Sequence, residues 1–511
     1  MMALPKRTWL LLILLLLVAI WFAMRPVWPF SDDYCYAYHA DQFNHHGLIL
    51  SSNEFQNRIG VYLPVSFLFR LLAVNPFSIA LWPLLASLFT ILVVYWFMKR
   101  MANETIALLS AFLIAINILQ ITYSLALFPD IFIAMYSTIA MFSLFYGRER
   151  STSGWFPLLF VTSFFAGLFT KETIVLIVPF TLILLVRDLL KKEHSQYWKK
   201  SAYLCLSFTV LFCLFYYCLT GDAFFRFKMI FGEKFSDENT KNFLQQHVPQ
   251  NFYNWIRRQY GLVFILLLSV STWTTIRKFD LREARIFISV YIFSVIGVIF
   301  FALFIFRYGE LFLIDRVWML LIPPLTILSA YFIQNMHQHF CVVLIAFLIV
   351  FSFYNGAELM STQRTYLYVF FLALTLINYY LSRRNQRWSY LQLIPFVLIA
   401  FNFIKHNSSY VTCSIQSSDR IKNEIEKLDA GTKKIILAGK DLAENHIIYN
   451  NFEEYNGKYF FPFNKHDSVK SESEVFCIVN EEEEQTPAFI AAENWKTYFR
   501  KGKLAIYRKP D

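Results

Sequence analysis

The chain has 511 residues, of which 57% are hydrophobic and only 16% charged, yet its formal net charge is +11. Soluble globular chains carry roughly 45–50% apolar and about 25% charged residues. The composition therefore excludes an ordinary soluble enzyme, a disordered protein and a disulfide-rich secreted domain; a nucleic-acid partner would require the basic residues to cluster on a soluble face.

Apolar runs dominate from residue 8 to about residue 404. A bilayer-spanning helix needs about 20 mostly apolar residues. By that measure spans fall near 8–28, 76–98, 105–119, 131–146, 155–170, 173–187, 202–220, 261–276, 286–306, 317–334, 340–354, 366–381 and 389–405, about thirteen in all. The first reads as a retained span, because the Arg25-Pro26-Val27-Trp28-Pro29 that follows lacks a small-residue cleavage site. With the N-terminus cytoplasmic, 18 Lys and Arg residues fall in short cytoplasmic loops, among them Lys6, Arg7, Lys99, Arg100, Arg148, Lys191, Lys199, Arg282 and Arg383. Such a bias is the signature of membrane orientation. The surplus charge is thus an insertion signal, and nucleic acid drops out as a partner.

Two outer loops are long, about 29–75 and 221–260. Phe224-Phe225-Arg226-Phe227-Lys228 and Asn254-Trp255-Ile256-Arg257-Arg258 mix aromatic and basic residues at helical spacing. They suit either helices lying in the membrane interface or solvated amphipathic loops. The transmembrane module covers 1–405. Over 406–511 the acids slightly outnumber the bases and the apolar runs shorten. A helix at 418–428, strands at 434–438 and 475–479, a helix at 488–495 and a strand at 503–508 predict a small extracytoplasmic α/β domain. Cys413 and Cys477 both fall in it, where a disulfide is one option. No cysteine spacing resembles a metal site.

The ionisable residues that this topology leaves unexplained share the outer face. Asp32 and Asp33 open Asp32-Asp33-Tyr34-Cys35-Tyr36-Ala37, just past the first span. Two adjacent carboxylates near a membrane surface perturb one another's pKa, which suits a general base; a helix N-cap is the plainer alternative. Asp130 follows Pro129 and reads as either a first-turn acid or a second site acid. Lys171 and Glu172 lie in Thr170-Lys171-Glu172-Thr173, between runs too short to place the turn in bulk water. Snorkelling charges on a hairpin turn are the alternative there. Arg58 stands in Asn57-Arg58-Ile59-Gly60, and Arg307 and Glu310 stand in Phe306-Arg307-Tyr308-Gly309-Glu310, followed by Asp315-Arg316-Val317-Trp318. A planar guanidinium favours phosphate, whereas Arg with Tyr and Trp also serves as an interfacial anchor. A transporter more often sets its charges near the midplane. An outer-face cluster suits chemistry between a membrane-held lipid phosphate and an outside acceptor.

In this order the motifs resemble the GT-C glycosyltransferases that use polyprenyl-phosphate sugars, the group of the protein O-mannosyltransferases and the lipid A aminoarabinose transferases. The acidic pair followed by Tyr and Ala, Gly47 beyond it, Arg58 with Pro64, Pro129-Asp130, Thr170-Lys171-Glu172, and Asp315-Arg316 with Pro323-Pro324 are similar to that family's ordered set. Two positions depart from it: Asp-Asp stands where Asp-Glu is usual, and Arg58 stands where Lys is common. There is no nucleotide-sugar Gly-rich motif.

The resemblance implies a GT-C-like polytopic helical membrane protein with about thirteen spans. It also implies an inverting sugar transfer from a polyprenyl phosphate, such as undecaprenyl phosphate, at the outer face of a bacterial inner membrane. Asp32 becomes the general base, with Asp33 and Asp130 orienting acceptor or sugar. Arg58, Lys171, Arg307 and Arg316 receive the donor phosphate, with Tyr36, Glu172 and Glu310 as further site residues. No metal ligand is assigned, and a divalent metal is left open. The acceptor is a lipid, a glycan or a protein. The competing functions are a lipid-linked-sugar flippase or transporter and an inactive GT-C scaffold.

Overall fold

The computed structural model describes residues 6–24, 32–50, 55–149, 154–233, 283–306, 319–334, 434–438, 458–462, 475–480, 487–501 and 504–508. The helices are α1 (Lys6–Met24), α2 (Asp32–His46), α3 (Ile59–Leu72), α4 (Pro76–Met101), α5 (Glu104–Ala115), α6 (Ile118–Ser124), α7 (Pro129–Glu149), α8 (Trp155–Thr170), α9 (Val178–Lys191), α10 (Ser195–Thr220), α11 (Phe225–Glu233), α12 (Ala284–Phe306) and α13 (Ile322–Gln334). A 3-10 segment, Glu172–Ile177, joins α8 to α9.

Among the described residues four helices are long and apolar enough to cross a bilayer: Pro76–Met101, Pro129–Glu149, Glu172–Lys191 and Ser195–Thr220. Their burial differs in a telling way. The apolar window of Pro129–Glu149 is 89% buried, whereas that of Ser195–Thr220 is 11% buried. The α10 helix thus leaves Tyr203, Leu206, Val210 and Leu211 exposed. An apolar surface of this extent is stable against lipid and not against water. The chain is an integral membrane protein with α7 at its centre and α10 on its perimeter.

Local chemistry sets the helix boundaries. Asn75, Asn103 and Asn117 each accept a hydrogen bond from the backbone N–H three residues on, capping α4, α5 and α6. The Asn117 cap divides the run expected as one span at 105–119 into α5 and α6. The outer loop expected over 29–75 holds two helices, and the apolar α3 is one of them. The run expected at 173–187 begins in 3-10 geometry. Pro323 and Pro324 occupy the first turn of α13, where a missing N–H costs nothing. The expected spans at 261–276, 340–354, 366–381 and 389–405 lie outside the described residues, as does the helix at 418–428.

Two apolar clusters hold the bundle. One joins α1, α4, α5, α7 to α10, α12 and α13. The other packs Tyr36, Ala37 and Ala40 of α2 and Val61, Tyr62 and Val65 of α3 against Ile131, Phe132 and Met135 of α7. This second cluster roots α2 and α3 on the N-terminal end of α7.

Gly60 fixes how close α3 comes to α8. A Cβ there would meet Thr170 Oγ1 and lie 3.2 Å from the backbone of Phe169 and Thr170. Gly60→Ala is expected to cost about 1–3 kcal/mol by overpacking, read as a lower thermal unfolding midpoint in detergent. Gly297→Ala is its control, because a Cβ at Gly297 meets nothing within 4 Å.

In the C-terminal segment five strands form one mixed sheet in the order β2-β1-β3-β5-β4. They are β1 (Lys434–Ala438), β2 (Lys458–Pro462), β3 (Val475–Asn480), β4 (Lys496–Lys501) and β5 (Leu504–Arg508). β1 pairs in parallel with β2 and β3, and β5 runs antiparallel to β3 and β4. Strands β2 and β4 add to the three expected. The helix expected over 488–495 is shorter, α14 (Ala488–Ala492), with β4 close behind it. Cys477 is buried in β3, and Cys413 lies outside the described residues.

Candidate active site

The two ends of the helical bundle differ in chemistry. At one end, where α7 and α9 finish and α10 begins, Asp188 accepts 2.6 Å hydrogen bonds from Nε and Nη2 of Arg148. It also accepts from Arg187 at 2.9 Å and from the Trp198 indole at 2.8 Å. Every oxygen is engaged by a fixed donor, so this buried carboxylate is a structural tie. Among the described residues one group has metal-ligand character, Asp188 with Glu193 and His194, and it lies at this end.

The opposite end gathers α2, the start of α3, the start of α7, the α8-to-3-10 turn and α11. Asp32 opens α2 and Asp33 is buried beside it in sequence. The helix ends on Gly47, whose positive φ of 77° and N–H bond to the Phe43 carbonyl close it in left-handed geometry. Four residues into α2, Tyr36 is fully buried, and its hydroxyl accepts a 2.7 Å hydrogen bond from Arg58 Nη1. Phe55 packs edge-on against Tyr36 and lies 5.9 Å below the Arg58 guanidinium. These contacts leave the Arg58 fork little freedom.

Asp130 sits in the first turn of α7, as a first-turn acid should, but it does more than cap. Lys171 Nζ donates to Asp130 Oδ1 at 2.8 Å, and both side chains are buried. Lys171 is delivered by the end of α8, where its own N–H bonds the Gly167 carbonyl at 2.7 Å. The next residue, Glu172, lies between two guanidinium groups. Arg58 Nη2 is 3.4 Å from Oε1 and Arg226 Nη2 is 3.3 Å from Oε2. Contacts thus link Tyr36, Arg58 and Glu172, and Lys171, the residue before Glu172, pairs with Asp130; Asp33 shares α2 with Tyr36, and Arg307, Glu310 and Arg316 lie outside the described residues.

Arg226 is the residue that sequence reasoning missed. It stands in the aromatic-basic stretch after α10, which reads equally well as a lipid-facing surface. In the fold α11 turns back onto the bundle, leaving Arg226 3% exposed while Lys228 stays outside on Asp222. The sequence places Arg226 between two aromatic residues, but Phe225 is half-buried and Phe227 exposed, so its direction comes from the fold and not from its neighbours.

Around this pair several buried polar atoms have no hydrogen-bond partner among the described residues: Nε of Arg226, the Tyr216 hydroxyl and Thr173 Oγ1. Buried donors are normally satisfied, so such orphans call for an explanation. Arg226 belongs to the pair of guanidinium groups that share Glu172, and Thr173 is the next residue along the chain. The arrangement binds one negative group already and has donors left over for another.

The family model described as dolichyl-phosphate-mannose-protein mannosyltransferase matches residues 60–218, the stretch that holds Lys171, Glu172 and Asp130. No curated protein matches the chain significantly in sequence. Among solved structures the chain is similar to ArnT from Cupriavidus metallidurans in the apo state, with a TM-score of 0.64 at 14% identity over 98% of both chains. It is also similar to the same ArnT bound to undecaprenyl phosphate, with a TM-score of 0.61 at 13% identity over 98% of both chains. The apo oligosaccharyltransferase of Archaeoglobus fulgidus matches with a TM-score of 0.51 at 11% identity, over 93% of this chain and 70% of that one. The resemblance carried by the ordered motifs therefore holds at the level of fold: the chain is a GT-C-fold membrane protein whose residues 60–218 match the dolichyl-phosphate-mannose-protein mannosyltransferase family model.

Proposed function

We propose that the chain is a membrane glycosyltransferase that moves a sugar from a polyprenyl phosphate, at the outer face of the membrane, to an acceptor hydroxyl. The observation that carries this reading is the convergence of Arg58 and Arg226 on Glu172, beside the buried Lys171–Asp130 pair and on the same end as the acidic start of α2.

Asp32 takes the proton from the acceptor hydroxyl. The acceptor oxygen then forms a bond to the anomeric carbon as the bond from that carbon to the phosphate oxygen breaks. The departing phosphate keeps the electron pair, and configuration inverts because attack and departure are on opposite faces. Arg58 and Arg226 receive the leaving phosphate, exchanging part of their contact with Glu172 for it. Preorganised cations act best where charge develops, because no reorganisation is needed during reaction. Lys171, fixed by Asp130, adds positive charge at the edge of that site, and Tyr36 holds the Arg58 fork in its plane. Asp33 and Asp130 orient acceptor and sugar. Similarity to ArnT captured with undecaprenyl phosphate supports a lipid phosphate of that class as donor. The low exposure of Arg58 and Arg226 supports strong electrostatics in a water-poor site.

The test uses the purified chain in lipid nanodiscs with undecaprenyl phosphate. Saturable binding is expected, and Arg226→Ala should weaken it about 10–100-fold, as removal of a charged hydrogen bond worth about 1.5–3 kcal/mol does. Equal binding by native chain and variant would remove Arg226 from the site. Absence of binding by the native chain, together with no acceptor-dependent release from an undecaprenyl-phosphate sugar, would overturn the whole reading.

A further inference from the structure

Beyond Tyr36, the next turn of α2 opens a cleft that the proposed transfer does not use. Tyr38, His39, Gln42, Phe43, Gln56 and Tyr62 supply most of its walls, and its volume is about 60 Å³. A single water needs about 10–15 Å³, so the cleft admits several heavy atoms and is open to more. None of its lining side chains carries a formal carboxylate, ammonium or guanidinium charge.

His39 is the informative member. It is 8% exposed, lies against the Tyr62 ring with centroids 6.1 Å apart, and makes no hydrogen bond among the described residues. Burial pushes its imidazole down to about 4, so at neutral pH it is uncharged and presents one N–H donor and one acceptor nitrogen. An imidazole without a protein hydrogen-bond partner on the wall of an open cleft has both ring nitrogens available to a ligand's hydroxyls. Tyr38, Phe43 and Tyr62 supply flat apolar faces, and Gln42 adds an amide with both donor and acceptor. This mixture of ring faces and neutral donor–acceptor groups matches a molecule with an apolar C–H face and hydroxyls around its edge. A phosphate would find no cation here, and an acidic or basic peptide side chain no counter-charge.

We infer that the cleft seats a neutral pyranose ring of the acceptor, packed on the Tyr38, Phe43 and Tyr62 rings and hydrogen-bonded by His39 and Gln42. That it is the acceptor's ring rests on the transferase reading above. His39 lies seven residues beyond Asp32 on the same helix, about 10.5 Å along the axis at 1.5 Å per residue. A ring in the cleft is thus a remote anchor that places a neighbouring hydroxyl near the base. Remote binding of this kind contributes to orientation at the reacting centre.

Saturation-transfer NMR tests the inference on the full chain in lipid nanodiscs, with methyl α-mannopyranoside and methyl β-glucopyranoside as probes and glycerol as control. Transfer to the ring protons of at least one pyranoside is expected, with little to glycerol. His39→Leu and Gln42→Ala should each lower it about tenfold, and His39→Gln, which keeps a donor and an acceptor, should retain most of it. Absence of pyranoside signal on the native chain, or a signal unchanged in both His39→Leu and Gln42→Ala, overturns the inference. So does a Ser/Thr peptide that binds the cleft in place of the pyranosides. Undecaprenyl phosphate binding is read in the same samples and should be unaltered by His39→Leu. If it binds and pyranosides do not, only the cleft assignment falls. If pyranosides bind through His39 and undecaprenyl phosphate does not bind at all, the transferase reading falls and the sugar site stands.

Discussion

Lys171→Met is expected to lower sugar transfer at least 100-fold and to destabilise the protein at the same time. The ammonium of Lys171 is 2.8 Å from Asp130 Oδ1, with both groups buried. Removing the cation takes the buried counter-charge away from Asp130, which costs about 3–5 kcal/mol. Loss of a preorganised positive charge beside the leaving phosphate accounts separately for a factor of about 10²–10³ in turnover. The two effects can be divided. Lys171→Met combined with Asp130→Asn removes the stranded charge and should restore most of the thermal stability without restoring transfer. Lys171→Arg keeps the charge and should recover part of both. If the double variant recovers activity along with stability, the pair is only a structural tie of the kind seen at Asp188 and Arg148, and Lys171 has no place in the chemistry.

How much of this could be read from sequence depends on what each residue's neighbours say. Asp130 and Lys171 are 41 positions apart, yet both were legible as site residues, because each is a charge set at the end of an apolar run where bulk water does not explain it. Their partnership was not legible, since it arises from α7 packing on α8. The α3 helix was hidden because a mostly apolar helix of 14 residues is too short for an ordinary span, and the surrounding polar segment made the whole of 29–75 read as a loop. Arg226 was visible only as part of an interfacial pattern; its direction is decided by α11 folding back on α10, which periodicity does not encode. His39 was passed over because an isolated histidine in an aromatic run is ordinary in sequence. Its meaning comes from the absence of a bonding partner in three dimensions. The sheet shows the same division: β1, β3 and β5 carry apolar runs of four or five residues, whereas β2 has three between Lys and Pro and β4 only two among Lys, Thr and Arg.

The acidic pair allows the sharpest division between a structural and a chemical role. Asp32 is the first residue of α2, so a helix-capping function and a general-base function both fit its position. Asn is as good a cap as Asp but accepts no proton. Asp32→Asn is therefore expected to leave thermal stability unchanged and to reduce turnover of a polyprenyl-phosphate sugar by about 10²–10⁴, the range for loss of a positioned base. Binding of undecaprenyl phosphate should stay within about twofold of native, because Arg58 and Arg226 remain in place and 1.4 kcal/mol would be needed for each factor of ten. Asp32→Ala gives the complementary signature: the same loss of turnover with about 1 kcal/mol of added instability from the missing cap. Native-level turnover in Asp32→Asn would assign the residue to capping alone and move the proton transfer to Asp33, the next carboxylate along α2.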